Sequence, residues 1–411
     1  MIKILFISLL VLDYGYKLLR YFLSNRQRKL PLPKSVSNIH DKAQYARWIE
    51  YQAAQHRLDI LYATVRFVAM VVLFSTNIFS WIAPENDFGS QCFLLCVYFL
   101  FTTLLYIPFG FVLQFKIEAK YGMNRCSYKT FIADRIRSFA LDAGLYCAFC
   151  GFYMWAYAQF DVQLWWITSA AALVYLLVTM MLSSVFARIG NKLTPLQDGA
   201  LRDQLIKMFT NEGYHLKNIY VMDASRRTTK ANAFCGGLGK LKQIVLYDNL
   251  VNDYTEDEII AVFAHELAHY KNRDSAKISL FYILNVLLYN AALCAFFLLP
   301  QISVAYGFAG TSAALAVLTV MGSDVIGPFD RIWQALSSAF IRPMEIRADK
   351  MAVDYGYGEA MISFFKKIGQ KDLGDLNPHP LIIAIEDEHP PTHKRIETIQ
   401  ASIKLQNADK Q

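Results

Sequence analysis

Long apolar runs constrain the fold of this chain more than any other feature of its sequence. Seven runs have roughly the 20 residues needed to cross the hydrocarbon core of a bilayer; they lie near residues 2–23, 60–82, 92–115, 138–159, 164–187, 278–300 and 313–341. No small-residue cleavage site follows the first run, so we interpret it as a retained helix. Hydrophobic residues fill 55% of the 411 positions, more than a soluble chain usually carries. The sequence therefore predicts a multi-pass membrane protein with about seven transmembrane helices.

The loops between these runs alternate in charge. Lysine and arginine concentrate in residues 17–57 and 116–137, and are absent from residues 83–91, 160–163 and 301–311. Basic loops stay on the cytoplasmic side of a membrane, so we predict an outside or lumenal N-terminus and a cytosolic C-terminus. These loops account for the net charge of +7, and no nucleic-acid partner is expected.

A polar segment, residues 188–277, has the periodicity of a soluble domain. Residues 194–213 predict an amphipathic helix capped by Thr194, and residues 218–224 predict a short strand. Residues 228–251 predict a hairpin that turns around Gly236, Gly237 and Gly239, with Asn232 in its first strand. Another helix follows, because Thr255 and Glu258 form a capping box.

The motif HELAH, His265 to His269, lies within this last helix. Residues four apart on an α-helix point in nearly the same direction, so the two imidazoles can hold one metal ion. Glu266 lies about 100° around the helix, where it can act on a metal-bound water without binding the metal. The alternative interpretation is a polar patch on an exposed helix.

A catalytic zinc needs three protein ligands and an open position. Directly after the last apolar run, Glu345 and Asp349 lie one helical turn apart. We predict Glu345 as the third ligand, and Asp349 as the acceptor that orients a ligating histidine. The alternative is a solvated helix face balanced by neighbouring basic residues.

These residues suggest a hydrolytic mechanism. Glu266 would be the general base that activates water and then passes the proton to the leaving amine. The oxyanion needs further donors, for which His389 is the preferred candidate and Arg395 a supporting charge. Asn232 could bind the backbone of a substrate that adds to the sheet edge.

Several motifs together carry a resemblance to a known family: HELAH, EIRAD, NKLTPLQDG, KANAFCGG, KQIVLYDNLV, EAKYGMNRCSYKTFIADRIRS and HPPTHKRI. The chain resembles, over nearly its whole length, the CAAX prenyl protease 1 family of integral-membrane zinc metallopeptidases. The resemblance implies one Zn²⁺ per chain held by His265, His269 and Glu345, with Glu266 as base and Asp349 supporting a ligand. It also implies that Asn232, His389 and Arg395 lie near the substrate. Pro343, two residues before Glu345, departs from the family pattern and predicts a kink.

The fold class implied by this resemblance is an all-α multi-pass membrane protein with about seven helices around an internal chamber, and a small α+β zinc-metalloprotease domain on the cytosolic side. The predicted parts are 1–187 (helices 1 to 5), 188–277 (the metalloprotease domain), 278–341 (helices 6 and 7) and 342–411 (a helical segment completing the zinc site). The implied membrane is the endoplasmic reticulum in a eukaryote and the inner membrane in a bacterium.

The expected partners are membrane lipid and a peptide or protein substrate, and the resemblance implies a prenylated CAAX substrate that loses its last three residues. Two alternatives stay open at this point. One is a quality-control zinc protease for membrane proteins. The other, from a different class, is a transporter or receptor with a structural zinc ion, although structural sites usually have four ligands.

Overall fold

In a computed structural model of the protein the chain is mostly helical. The described residues are 1–85, 87–160, 163–186, 191–214, 219–236, 243–297, 299–308, 317, 320, 322, 324–372 and 374–409. Several predicted features extend outside them, including 187 and 188 at a domain boundary, 218 in the first predicted strand, the turn at Gly237 and Gly239, 298 in the sixth run, most of 313–323 in the seventh, and residues of the three uncharged loops.

Long helices form the N-terminal half. They are α1 (Ile2–Gln27), α2 (Lys42–Ser75), the short α3 (Ile78–Ile82), α4 (Phe88–Val112), α5 (Tyr128–Phe160) and α6 (Leu164–Phe186). A π-helical segment, Leu113–Glu118, continues α4. Asp41 begins α2 with a capping box, and Asp87 caps α4.

Within the described residues, four helical segments are long and apolar enough to cross a membrane: Lys42–Ser75, Phe88–Glu118, Tyr128–Phe160 and Asp274–Phe297. Their outer faces are apolar and uncovered. On α2, for example, Leu61, Val65, Val68 and Val72 recur at helical spacing and are 37–57% exposed. Such continuous apolar surface is typical of a membrane-facing side. The count of seven spans stays a prediction.

The polar segment contains a four-stranded sheet of order β1-β2-β4-β3. The strands are β1 (Leu193–Pro195), β2 (Ile219–Met222), β3 (Ala233–Gly236) and β4 (Gln243–Tyr247). β2 runs parallel to β4, and β1 and β3 are antiparallel edge strands. The predicted strand at 218–224 and the predicted pairing of the hairpin strands are confirmed.

Two local predictions in this segment are wrong by a few residues. Thr194 does not cap a helix: it pairs with Val221 in β1, and the helix, α7, begins later (Ala200–Asn211). The pairing with β2 satisfies the backbone there, which overrides the helical pattern. Asn232 directly precedes β3 instead of lying within it.

One face of the sheet packs on α9 (Glu256–Lys271), the helix that contains HELAH. The short α8 (Asp248–Asp253) precedes it, and the predicted capping box of Thr255 and Glu258 begins it. Ile244 and Leu246 of β4 join the α9 core, whereas Val245 between them faces the other side, as the strand period requires. Ten of the eleven α9 residues from 258 to 268 are buried, Glu266 being the exception, so HELAH lies deep in the domain.

Six helices whose bounds the structure describes follow α9, and three of them complete this core. The six are α10 (Asp274–Phe297), α11 (Pro300–Ala305), α12 (Gly327–Asp354), α13 (Gly358–Asp372), α14 (Pro380–Glu386) and α15 (Thr392–Ala408). Buried residues of α12, α13 and α15 share one hydrophobic cluster with α7, α9 and the sheet. The segment after residue 342 is thus packed against the domain that holds HELAH.

A second hydrophobic cluster lies among the long helices, and beside it is a polar cavity of about 570 Å³ between α1, α2 and the start of α12. Charged side chains line it, among them Asp13, Lys17, Arg20, Arg66, Asp324, Arg331 and Glu386. Gly327 makes the close approach of α12 to α1 possible, because a Cβ there would lie 2.5 Å from Oδ1 of Asp13.

Candidate metal centre

The two histidines of HELAH face α12 from one side of α9. Their Nε2 atoms are 3.2 Å apart, as the four-residue spacing predicts. His265 is buried and His269 is half-buried. Alanines flank them on α9 and line the facing part of α12: Ala264, Ala268, Ala348 and Ala352 are at most 1% exposed. Small side chains of this kind let two helices pack closely.

The carboxylate of Glu345, on α12, contacts both imidazoles. Its Oε2 lies 3.4 Å from Nε2 of His265, and its Oε1 lies 3.2 Å from Nε2 of His269. One ligand atom from each of the three residues falls within 4.8 Å of the others. Pro343 does not end the helix, since α12 continues through it to Asp354. The structure therefore brings together the three side chains predicted from two distant motifs.

The donor set fits a zinc ion. Among the described residues, no group makes a well-formed hydrogen bond to Oε2 of Glu345, although that atom is buried. A buried carboxylate oxygen without a partner is costly, and a cation would satisfy it. Two imidazole nitrogens and one carboxylate are also the ligand types of a catalytic zinc with one open position.

The other nitrogen of each imidazole is held by a buried carboxylate. Nδ1 of His265 lies 3.0 Å from Asp349, which is fully buried and accepts two hydrogen bonds from Arg395, of 2.8 and 2.6 Å. This is the contact predicted for Asp349. It leaves Nε2 of His265 free to face the metal position.

His269 has a matching partner that the sequence did not reveal. Its Nδ1 lies 3.1 Å from Oδ2 of Asp274, which is 1% exposed and receives two bonds of 2.7 Å from Arg347. Asp274 reaches this position because Arg273 adopts a left-handed backbone (φ 54°) between α9 and α10. The only sequence signal was an acidic residue five positions after His269.

The electrostatics of the site follow from burial and these contacts. Burial would lower the pKa of His265, but Asp349 and Glu345 outweigh it and raise that pKa to about 9. Burial also opposes the rise in the pKa of His269, which Glu345 causes. The pKa of Glu345 is held below its usual range, against burial, because both imidazoles contact it. The site is therefore built to hold positive charge between its three groups.

Glu266 and His389 border this site. Glu266 is half-buried on α9 beside His265. His389, in the loop between α14 and α15, has Nε2 at 3.4 Å from Oε2 of Glu345, while 62% of its side chain remains exposed. An exposed imidazole next to this buried carboxylate can contact a bound substrate.

The remaining two predicted residues lie in different surroundings. Arg395 is 11% exposed and its guanidinium is bonded to Asp349, at 3.7 Å from Glu345. Its contacts are thus with the residues that hold the ligands. Asn232 is exposed at the start of edge strand β3, and its Oδ1 accepts a hydrogen bond from the backbone of Ala233. Their predicted contacts with substrate stay predictions.

Family comparisons agree with this geometry. Residues 195–403 match the model of peptidase family M48. Residues 21–188 match the model described as CAAX prenyl protease N-terminal, five membrane helices. The first match alone covers just over half of the chain, and the two together cover most of it.

Similar curated proteins span almost the whole chain. A CAAX prenyl protease 1 homolog of Dictyostelium discoideum is 27% identical and is aligned over 98% of this chain and 97% of its own length. A probable CAAX prenyl protease 1 of Schizosaccharomyces pombe is 28% identical over 89% of this chain and 78% of its own. The crystal structure of S. mikatae Ste24p has the same fold, with a TM-score of 0.87, 21% identity, and coverage of 97% and 98% of the two chains. This chain belongs to peptidase family M48 and has the N-terminal membrane-helix region of the CAAX prenyl proteases.

Proposed function

We propose that this protein is a zinc-dependent membrane endopeptidase that removes the C-terminal tripeptide from prenylated CAAX proteins. The observation that carries the proposal is the buried cluster of His265, His269 and Glu345, with Glu266 beside it on the same helix. The substrate class comes from the similar proteins, which are named CAAX prenyl proteases.

One zinc ion per chain would be held by His265, His269 and Glu345. Bound there, it would supply a Lewis acid that polarises the scissile carbonyl and favours ionisation of water. Asp349 and Asp274 would fix the two imidazoles with Nε2 turned toward the ion, and Arg395 and Arg347 would hold those carboxylates in turn. This arrangement keeps the ligands in place before substrate arrives.

Glu266 would perform the proton transfers. It would accept a proton from the attacking water and return it to the amine of the departing peptide. His389 is exposed and close to Glu345, so it would donate a hydrogen bond to the oxyanion that develops at the scissile carbonyl.

The substrate backbone would add to edge strand β3. That strand pairs with β4 on one side only among the described residues, and its free edge can form main-chain hydrogen bonds. Asn232, at the start of this edge, would bind the same backbone. We assign 188–277 and 342–411 jointly to the catalytic unit, because their buried residues share one core.

The chain would cross the membrane about seven times around an internal chamber, with the N-terminus outside or lumenal and the catalytic unit in the cytosol. The apolar outer face of α12 supports a seventh span: Phe329, Ile332, Leu336 and Phe340 recur at helical spacing and are 40–62% exposed. The polar cavity between α1, α2 and α12 supports the chamber, since charges at membrane depth are tolerated where they face water or protein.

The test is metal analysis of the purified protein together with cleavage of a farnesylated CAAX peptide, its unprenylated form and a denatured membrane protein. We expect about one zinc per chain and release of a tripeptide chiefly from the farnesylated peptide. Equal turnover of all three substrates would favour a quality-control protease instead. Zinc binding without cleavage of any substrate would favour a structural site.

A further inference from the structure

One face of α12 contacts the segment that carries His389. Going toward Glu345, this face presents Gln334, Ser337 and Arg342, which with Glu345 lie within about 140° of one another around the helix. Each of the first three contacts residues 383–388. The same helix therefore supplies a metal ligand and holds the loop that lies over it.

Arg342 makes the densest of these contacts. Its Nη1 donates to the carbonyl oxygens of Ile383 at 2.9 Å, Asp387 at 3.0 Å and Ala384 at 3.4 Å. These carbonyls lie at the C-terminal end of α14; that of Ile383 also accepts from the backbone N–H of Asp387 at 3.3 Å, and Arg342 adds a side-chain donor to all three. A guanidinium at the negative end of a helix is also electrostatically favourable. Arg342 thus fixes the point where the chain leaves α14, two residues before His389.

Glu388 ties the same loop to two helices. Its Oε1 accepts from Ser337 Oγ of α12 at 3.2 Å and from Tyr282 OH of α10 at 3.4 Å. Gln334 also donates to the carbonyl of Glu386 at 3.2 Å. On its other side His389 is followed by Pro390 and Pro391, and a residue before proline is restricted to extended backbone. The loop is therefore held at both ends, while the imidazole itself is exposed.

We propose that Arg342 is a positioning residue, which holds residues 383–387 so that the imidazole of His389 stays within reach of a substrate carbonyl beside Glu345. The inference rests on the proposed function and adds a residue to it. Arg342 would act only through His389, and its loss would slow the chemical step without releasing the metal. A displacement on the order of 1 Å at such a group costs roughly ten- to a hundredfold in rate.

The experiment combines Arg342→Gln with His389→Ala in the full-length protein and measures zinc content, kcat and KM on a farnesylated CAAX peptide. Lys350→Gln is the matched control, because it removes a positive charge from an exposed position of the same helix. We expect Arg342→Gln to lower kcat by roughly tenfold or more, to leave KM within about threefold and to retain zinc. Lys350→Gln should behave as wild type, and Arg342→Lys should recover part of the lost kcat.

The double variant separates positioning from general stabilisation. If Arg342 acts through His389, adding Arg342→Gln to His389→Ala should cause no further loss. The inference would be overturned if the losses in kcat of the two single variants multiplied in the double variant. Loss of zinc from Arg342→Gln, or a kcat of Arg342→Gln equal to that of Lys350→Gln, would overturn it as well. If Arg342→Gln does not fold, the pair Ser337→Ala and Tyr282→Phe, which frees Glu388, is judged by the same criteria. If the wild-type protein neither holds zinc nor cleaves the peptide, the proposed function is refuted, and this inference with it. If the wild type is active and Arg342→Gln has the same kcat, only the inference is refuted.

Discussion

The metal centre and the polar cavity both contain charged groups that are buried or half-buried, but they are organised differently. In the centre each charged group has a partner that fixes its direction, as Arg395 fixes Asp349 and Arg347 fixes Asp274. In the cavity, charges pair across helices that are far apart in the chain, as Arg66 does with Asp324 and Arg20 with Glu386. The first arrangement orients groups toward one point, and the second joins helices around a space.

Because of this difference, a substitution in the metal centre and one in the cavity should impair different properties of the protein. Removing a charge from the metal centre should impair metal binding or catalysis, because the helices there also share a large hydrophobic core. Removing a charge from the cavity should weaken the packing of the helices and leave the chemistry nearly intact.

Removal of the metal should abolish cleavage. Treatment with a zinc chelator such as 1,10-phenanthroline should reduce turnover of a farnesylated CAAX peptide to background, and added Zn²⁺ should restore it, because the ion that His265, His269 and Glu345 would hold is needed to activate the attacking water. Circular dichroism should show the helical content unchanged. Full activity in the chelated protein would contradict a catalytic metal.

Glu266→Gln should come next in size. The amide cannot accept a proton from water, so kcat should fall by roughly a hundred- to ten-thousandfold. Zinc content should stay near one per chain, because Glu266 is not among the three groups that meet at the site. Glu256→Gln, at an exposed position in the first turn of the same helix, is the matched control and should retain activity.

Asp349→Asn and Asp274→Asn should have intermediate effects. Each replaces a carboxylate behind a ligating imidazole by a neutral acceptor, which should weaken zinc affinity by roughly ten- to a hundredfold. Competition with a chelating dye measures this. Asp257→Asn, exposed near the start of α9, should bind zinc as wild type does. Unchanged affinity in both variants would show that these carboxylates do not support the metal.

These two aspartates also mark how far the sequence could predict the site. His265, Glu266 and His269 follow from helical periodicity, and Glu345 with Asp349 follows from the same periodicity in a second motif. Asp274 does not, because its place under His269 depends on the left-handed turn at Arg273. Arginine is not a residue whose presence predicts such a conformation.

The fold was predictable to a similar extent. Long apolar runs and the capping box at Thr255 are local signals, and they predicted the helix that follows Thr255 and helices in the apolar segments. The strand at Thr194 and the pairs that line the cavity depend on partners elsewhere in the chain. Arg66 and Asp324, for instance, are 258 positions apart, and no local pattern relates them.

Replacing Arg66, which lines the cavity, should change the rate of catalysis least. Arg66 donates to Asp324 at 3.1 and 2.5 Å, and Tyr98 bonds to the other oxygen of that 8%-exposed aspartate. Arg66→Met leaves a buried carboxylate without its cation, which should lower the thermal stability of the purified protein by several degrees. Its kcat at low temperature should stay within about threefold of wild type, because the hydrogen bonds of Arg66 go to Asp324 and Tyr62 and not to the zinc-binding residues.

Two further variants decide whether the ion pair itself is responsible. Arg66→Met combined with Asp324→Asn should regain much of the lost stability, since removing both charges avoids the unpaired carboxylate. Lys17 lines the same cavity and pairs with Asp13. Lys17→Met should cost little, because Asp13 keeps a second cation, Arg331, at 3.9 Å. An Arg66→Met protein that is as stable as wild type but slow would mean that the cavity takes part in turnover, and the separation between the two regions would then be wrong.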